Sequence, residues 1–135
     1  VQTDILKSFW FDSGTREGLL DANKHLLIAS HKFDNVDSAV INCFMHGKIG
    51  LDQGSVLEGS NIMGPVYIGK NVKIFNSTIG PFSTIADGCF IENSELQETI
   101  VMEGTKIVNS QIYSSLLFKD IKVNDKQFII NKLVK

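Results

Sequence analysis

The 135-residue sequence has little of several features that mark common protein classes. It contains two prolines, two cysteines and one tryptophan, and its 13 basic and 15 acidic side chains give a formal charge of -2. This near-neutral balance excludes a strongly basic nucleic-acid-binding protein. No apolar run approaches the ~18–20 residues that a membrane-spanning helix needs. The first residues also lack the layout of a signal peptide. We therefore expect neither a nucleic-acid nor a membrane partner.

The two cysteines, Cys43 and Cys89, do not have the spacing of a metal or redox motif. Together with the missing signal peptide, they predict reduced thiols in a cytoplasmic protein. The chain has eleven glycines and many isolated aliphatic residues between short polar runs, which is not typical of a helical domain. A composition of this kind calls for a search for internal repeats before any other interpretation.

An aliphatic residue recurs every five or six positions from Val56 onward, in three interleaved columns. The columns are Val56, Ile74, Ile91, Ile107 and Val123; Ile62, Ile79, Leu96 and Ile112; and Ile68, Ile85, Val101 and Leu117. The residues two positions earlier are small except Ile121, and include Gly54, Ser60, Ser77, Ser83, Cys89, Ser94, Thr99, Thr105, Ser110 and Ser115. Because positions two apart in a strand face the same way, each short strand would direct one large and one small side chain inward.

Residues that tolerate positive φ stand at the places where tight corners are needed. They are Gly59, Asn76, Asn93 and Asn109 before the second column, and Asn71, Gly88, Gly104 and Asp120 before the first. Three strands and three corners per turn predict a mainly β protein, a parallel β-helix of triangular section with about four coils. An antiparallel meander would have no reason to keep a three-strand superperiod. Right-handed crossovers are the general rule, but a resemblance to hexapeptide-repeat proteins implies a left-handed coil.

The sequence divides into four segments around this repeat. Residues 1–33 predict a strand over Ser8–Asp12, a turn and a helix over Thr15–Lys32 with Thr15 as its N-cap. Within that helix, Leu19, Leu20, Asn23, Leu26 and Leu27 have the spacing of a packing face. Residues 34–55 are expected to be a connection with a possible irregular rung at Ile49-Gly50. Residues 56–123 form the coils, and residues 124–135 are expected to cap the last one.

Two groups of motifs carry a resemblance to a known family. The first is Trp10-Phe11-Asp12-Ser13-Gly14-Thr15 followed by Gly18-Leu19-Leu20-Asp21-Ala22-Asn23, and it resembles the closing motif of sugar-phosphate nucleotidyltransferase domains. The resemblance implies that residues 1–33 are the C-terminal strand-turn-helix remnant of such an α/β domain. The second consists of Gly64–Gly69, Ile79–Ile85 and Ile100–Gly104, which look like the C-terminal β-helix of long-form glucose-1-phosphate thymidylyltransferases. The resemblance covers roughly residues 8 to 123.

The resemblance implies an enzyme that makes dTDP-glucose and pyrophosphate from dTTP and glucose 1-phosphate with Mg²⁺. By the same resemblance, Asp12 helps to hold the metal together with an aspartate from an earlier domain. Without the resemblance, a turn residue at a helix start would be the preferred interpretation of Asp12. The family's glycine-rich nucleotide loop and its activating lysine do not occur here. We therefore expect this chain to be a C-terminal part of such an enzyme, without catalytic residues of its own and inactive alone, that assembles or stabilises a homo-oligomer, either a dimer or a trimer.

Three other functions remain open from the sequence. By the resemblance, the parent enzyme could instead be another sugar-1-phosphate nucleotidyltransferase, which transfers a uridylyl or an adenylyl group. A β-helix of this type can belong to an acyltransferase, which typically uses a histidine as general base; here His25, His31 and His46 all precede the predicted coils. The other possibility is an interaction module. The third face of the prism carries outward apolar residues and is expected to pack against another subunit or against the Thr15–Lys32 helix, through Tyr67, Ile100, Met102, Leu116 and Phe118.

Overall fold

A computed structural model describes residues 15–29, 38–124 and 127–135 of the chain. The described part consists of one helix, α1 (Arg16–Ala29), and eighteen short strands. The first three coils contain β1 (Ala39–Ile41), β2 (Phe44–His46), β3 (Ile49–Leu51), β4 (Val56–Glu58), β5 (Asn61–Met63), β6 (Val66–Ile68), β7 (Lys73–Phe75), β8 (Thr78–Ile79) and β9 (Ser83–Ile85). The last three contain β10 (Phe90–Glu92), β11 (Glu95–Gln97), β12 (Ile100–Val101), β13 (Lys106–Val108), β14 (Gln111–Tyr113), β15 (Leu116–Leu117), β16 (Lys122–Val123), β17 (Phe128–Ile130) and β18 (Leu133–Val134).

The strands form three parallel six-stranded sheets, each of which takes one strand from every coil. The first sheet contains β1 and every third strand after it, the second starts with β2 and the third with β3. Every pairing is parallel and in register, for example Ile74 with Ile91 and Ile79 with Leu96. This arrangement confirms the predicted mainly β, parallel β-helix fold. The left hand of the coil remains a prediction from the resemblance.

The solenoid is longer than the sequence predicted, with six coils rather than about four. Residues expected to form a connection carry β1, β2 and β3, and residues expected to form a cap carry β17 and β18. The first column is also corrected at its start. Leu57, not Val56, is fully buried and pairs with Ile74, and Ser55 rather than Gly54 is the small inward residue before it.

Repeated side chains hold neighbouring coils together inside the prism. The aliphatic columns form one continuous buried core from Ile49 to Val123. Beside it runs a ladder of serines: the Ser77 amide donates to Ser60 Oγ, Ser94 to Ser77 Oγ and Ser110 to Ser94 Oγ, each over 3.1 Å. The hydroxyl of each of these serines donates in turn to a carbonyl two residues earlier. The small inward column therefore provides acceptors for the buried backbone amides of Ser77, Ser94 and Ser110.

The corners have the backbone conformation that their residues predict. Asn42, Asn76, Asn93 and Asn109, with Gly59, have positive φ between the first and second sheets. Asn71 and Asp120, with Gly54, Gly88 and Gly104, have it between the third and first sheets. The corner before the third sheet uses less tolerant residues, including Phe82, Glu98 and Ser114 at φ 64°, 52° and 50°. Those last three positions were not predicted, because nothing in their residue type marks them.

Candidate functional site

The most extensive contact outside the coils is made by α1, which lies on the third sheet. Leu19 and Leu20 of the helix pack against Ile100, Met102 and Leu116 of the sheet in a second buried cluster, separate from the core of the prism. All five side chains are buried. The helix begins as predicted, because the Gly18 amide donates to Thr15 Oγ1 over 3.0 Å and so caps the first turn. The predicted packing face of α1 is thus the face that contacts the solenoid.

A fully buried asparagine fixes the helix at the middle of the sheet. Asn23 Oδ1 accepts a hydrogen bond from Thr84 Oγ1 over 2.5 Å, and Asn23 Nδ2 donates to the Phe82 carbonyl over 3.1 Å. Neither Asn23 nor Thr84 is exposed to solvent. Because a buried amide without partners costs free energy, this pair of bonds specifies both the position and the rotation of the helix.

Polar contacts at the corner before the third sheet add to the apolar ones. Lys24 Nζ lies 2.6 Å from Glu98 Oε2, and the Ser114 hydroxyl donates to Glu98 Oε1 over 2.7 Å. Arg16 donates to the Ser114 carbonyl over 3.2 Å. The hydrogen bonds from Lys24 and Ser114 hold the pKa of Glu98 below its ordinary value. The carboxylate is therefore charged at neutral pH, and its ion pair with Lys24 connects this corner of the solenoid to the helix.

The helix runs opposite to the progression of the coils. Its first residue, Arg16, contacts Ser114 in the fifth coil, whereas near its end the Ile28 carbonyl accepts from Lys48 Nζ in the first coil, over 3.1 Å. Fourteen residues of helix span about 21 Å at 1.5 Å per residue. Four coil spacings of ~4.8 Å span about 19 Å. The length of α1 thus matches the distance between the first and the fifth coil.

The five predicted interface residues are in different environments. Ile100, Met102 and Leu116 lie under α1, and Phe118 is partly buried beside them. Lys135 Nζ lies 5.7 Å from the centroid of the Phe118 ring. Tyr67 lies outside this cluster and donates to Asp52 Oδ2 over 2.9 Å; burial and this carboxylate raise the pKa of the phenol. The helix therefore occupies the part of the third face that was predicted to be an interface.

Asp12, the predicted metal-holding residue, lies outside the described residues, as do the predicted strand Ser8–Asp12 and His31. The described residues contain no group of three histidine, cysteine, aspartate or glutamate side chains that could hold a metal ion. None of the helices in the described part is long and apolar enough to cross a membrane.

The histidines and thiols of the described part have ordinary surroundings. His25 is exposed on α1, with Nδ1 2.9 Å from the Asp21 carbonyl oxygen. His46 lies on β2 within the first coil, which corrects the expectation that the histidines precede the coils; its ring stacks on Phe44 at 6.3 Å between centroids. Burial raises the pKa of the Cys89 thiol to about 12, so this thiol is unreactive at neutral pH.

An open groove of about 530 Å³ runs along the second sheet and the corner between the first and second sheets. Its lining consists of Asn76, Thr78, Asn93, Ser94, Glu95, Asn109, Ser110, Gln111, Gln127 and Phe128. Glu95 is the one charged side chain in this lining. The lining contains no lysine or arginine, the side chains that most strongly bind phosphate groups.

The coils and the docked helix define the chain as a parallel β-helix that anchors an additional helix along one face. Over 91% of its length, the chain is 28% identical to glucose-1-phosphate thymidylyltransferase from Streptomyces griseus. It is also 29% identical, over 89% of its length, to glucose-1-phosphate adenylyltransferase from Desulforamulus reducens. The predicted resemblance to sugar-phosphate nucleotidyltransferases is thereby confirmed.

The match covers 35% of the Streptomyces griseus protein and 40% of the Desulforamulus reducens protein. A third relative, glucose-1-phosphate adenylyltransferase from Clostridioides difficile, is 28% identical over 82% of this chain and 25% of its own length. The chain thus spans about a third of the length of the first curated relatives it matches. No family model matches it.

Proposed function

We propose that this chain is the C-terminal β-helix part of a cytoplasmic enzyme that makes dTDP-glucose and pyrophosphate from dTTP and glucose 1-phosphate. The supporting observation is the docking of α1 along five coils, in a chain that is similar to glucose-1-phosphate thymidylyltransferases over 91% of its length. In this proposal α1 is the last helix of the catalytic domain, and the solenoid stabilises that helix.

In this proposal the described residues hold α1 in position and supply no catalytic group for the nucleotidyl transfer. Asp12, four residues before Arg16 in the sequence, would be the metal ligand that this chain contributes. Mg²⁺ would supply charge stabilisation as the sugar phosphate attacks the α-phosphorus. The catalytic residues and the remaining metal ligands would belong to the preceding domain, so the 135-residue chain would be inactive alone.

The first test measures pyrophosphate release from dTTP and glucose 1-phosphate with Mg²⁺, for the full-length enzyme and for the 135-residue chain. We expect release by the full-length enzyme only. Release by the chain alone would contradict the assembly role, and no release by either would remove the substrate assignment. Leu116→Lys in the full-length enzyme should lower activity by undocking α1, whereas Gln111→Lys, at a position of the second sheet that is exposed among the described residues, should not.

A second candidate function is adenylyl transfer, because two of the relatives are glucose-1-phosphate adenylyltransferases. The same assay with ATP and UTP in place of dTTP decides between these activities. The acyltransferase alternative has less support, because the histidine on the described coils, His46 of β2, stacks on Phe44 and does not line the groove of the second sheet. Turnover of acetyl-CoA by the 135-residue chain would establish it.

A further inference from the structure

The groove along the second sheet is lined by two columns of side chains that repeat from coil to coil. The column at the corner contains Asn76, Asn93 and Asn109. On the sheet, register aligns Thr78, Glu95, Gln111 and Phe128. Ser94 and Ser110 lie between the two columns in the sequence, and their side chains are buried. With coils ~4.8 Å apart, the groove spans about 14 Å from the third to the sixth coil. Its volume of about 530 Å³ is in the range of ligand-binding clefts.

The amides of the groove can each donate and accept hydrogen bonds. An asparagine amide has two N–H donors and an oxygen with two lone pairs. Asn93 Nδ2 donates to Asn109 Oδ1 over 2.6 Å, which uses one donor and one lone pair and fixes the two amides relative to each other. Asn93 Oδ1 and Asn109 Nδ2 therefore keep the capacity to bind a ligand. A hydroxyl group, which also donates and accepts, is the ligand group that fits such a lining.

An aromatic ring lies at one end of the groove. Phe128 is 62% exposed, and its ring contacts Tyr113 at 5.8 Å between centroids and an interplanar angle of 56°. This contact orients the ring and leaves most of it accessible. A sugar ring has a face that carries mainly C–H groups, which packs on an aromatic ring as other apolar groups do. Amides along the groove and an aromatic side chain at its end thus match a ligand that has both hydroxyl groups and an apolar face.

We propose that this groove binds a neutral, extended oligosaccharide whose chain runs parallel to the solenoid axis. Each hexose of an extended oligosaccharide advances the chain by about the spacing of one coil. Successive hexoses would therefore meet successive coils of the groove. The hexose at one end would stack on Phe128. Hexoses further along would exchange hydrogen bonds with the Asn93 and Asn109 amides and donate hydroxyl hydrogens to the Glu95 carboxylate.

Charge and backbone pairing favour this ligand over other classes. Glu95, the one charged side chain of the lining, would repel a phosphate group or an acidic sugar. An extended peptide binds by pairing with the open edge of a sheet. The strands β8, β11 and β14 under the groove each have a neighbour on both sides, so they offer no such edge. The groove takes no part in the proposed nucleotidyl transfer, and either proposal can fail without the other.

Titration of the 135-residue chain with cellohexaose, followed in ¹H–¹⁵N NMR spectra, tests the proposal. These spectra contain the side-chain amide groups, so they locate the binding site. We expect saturable shifts of the Asn93 and Asn109 side-chain amides, with a dissociation constant below about 1 mM. Phe128→Ala and Glu95→Ala should each raise the dissociation constant about three- to tenfold, which is the effect expected for the loss of one aromatic contact or one hydrogen bond.

Phe44→Ala and Glu92→Ala are the matched controls. Phe44 is also 62% exposed and stands in the same column as Phe128, at the other end of the sheet, but does not line the groove. Glu92 lies in the same coil as Glu95 but on the first sheet. Both variants should leave the dissociation constant unchanged, and circular dichroism verifies that each variant folds.

Three results would overturn the proposal. The first is the absence of saturable shifts at up to about 10 mM cellohexaose. The second is a set of shifts confined to residues outside the groove. The third is a loss of affinity in the control variants that equals the loss in Phe128→Ala and Glu95→Ala. Maltohexaose, whose chain curves, should bind more weakly than cellohexaose, and equal binding would overturn the extended geometry of the ligand.

Discussion

Thr84, in the third coil, donates a hydrogen bond to Asn23 of α1 over 2.5 Å, and both side chains are completely shielded from solvent. The two residues are 61 positions apart in the sequence. The bond joins the helix to the sheet at a point that no apolar contact could specify, because apolar packing has no direction. Asn23 is therefore the residue on which the placement of α1 most depends.

Asn23→Ala should lower the free energy needed to undock α1 from the third sheet by about 2–4 kcal/mol. The substitution leaves the Thr84 hydroxyl and the Phe82 carbonyl buried without this partner, and each such loss costs about 1–3 kcal/mol. Hydrogen exchange of the α1 amides measures the change. Asp21→Ala, on the exposed side of the same helix, should change it by less than about 0.5 kcal/mol. A Thr84→Val cycle should show less than additive losses, and additive losses would contradict the bond.

Leu116 and Leu117 are adjacent, fully buried and directed to opposite sides of the third sheet. Leu116→Ala should cost about 2–5 kcal/mol of docking free energy, because Leu116 packs under α1. We expect fast tryptic cleavage at Arg16 and Lys24 while the β signal in circular dichroism is retained. Leu117→Ala should instead lower the unfolding midpoint of the coils. Equal effects of the two changes would show that helix and solenoid unfold as one unit.

The ion pair between Lys24 and Glu98 should make docking of α1 sensitive to acid. Because the folded-state pKa of Glu98 is lowered from 4.5, its stabilising contribution is present above the unfolded value. The contribution is lost as the pH falls through the folded value. Glu98→Gln should therefore destabilise docking at pH 7, by less than about 1 kcal/mol for this part-exposed pair. The difference from wild type should vanish below the folded-state pKa. Lys24→Met removes the same ion pair, so its effect at pH 7 combined with that of Glu98→Gln should be smaller than the sum of the two single effects. Urea unfolding from pH 3 to pH 7 measures these differences.

At Asn109, the free-energy cost of a positive φ at a corner can be measured separately from the contribution of the side-chain hydrogen bond. It has φ 53° and accepts from Asn93 Nδ2 over 2.6 Å. Asn109→Ala and Asn109→Gly both remove this bond, but only alanine strains the left-handed backbone. We expect the alanine variant to be less stable than the glycine variant by about 1 kcal/mol in urea unfolding. Equal stability would contradict the left-handed backbone at this corner.

The alternation of large and small inward residues made the middle coils predictable, but it failed at both ends for identifiable reasons. Val56 and Leu57 are adjacent aliphatics, and a spacing of five or six accepts either one. The corner residue Gly54, which lies three positions before Leu57 as Asn71 does before Ile74, is the signal that identifies Leu57. In the first coil, Met45 replaces the usual isoleucine. In the last, Phe128 and Ile130 flank Ile129 and hide the alternation.

The packing face of α1 could be predicted from helical spacing, including Asn23, since its period is a local property. The identity of its partners could not. Thr84 and Glu98 are ordinary polar residues in the repeat, and their contacts with the helix depend on how far the coils rise over tens of residues. The bonds of Thr84 and Glu98 to α1 therefore could not be predicted from any one segment of the sequence, because they form only when the coils and the helix are assembled.

The opposed directions of α1 and the coils have a mechanical consequence. A force applied to the chain before Arg16 would enter the molecule at the fifth coil, through the contact of Arg16 with Ser114. The force would act along the helix and would load the packed leucines and the Asn23 bonds together, in shear. Peeling from the opposite end would instead load the contact between Lys48 and Ile28 first. The contact between α1 and the third sheet should therefore resist a pulling force applied at Arg16 better than a force that lifts the helix off the sheet from Ile28.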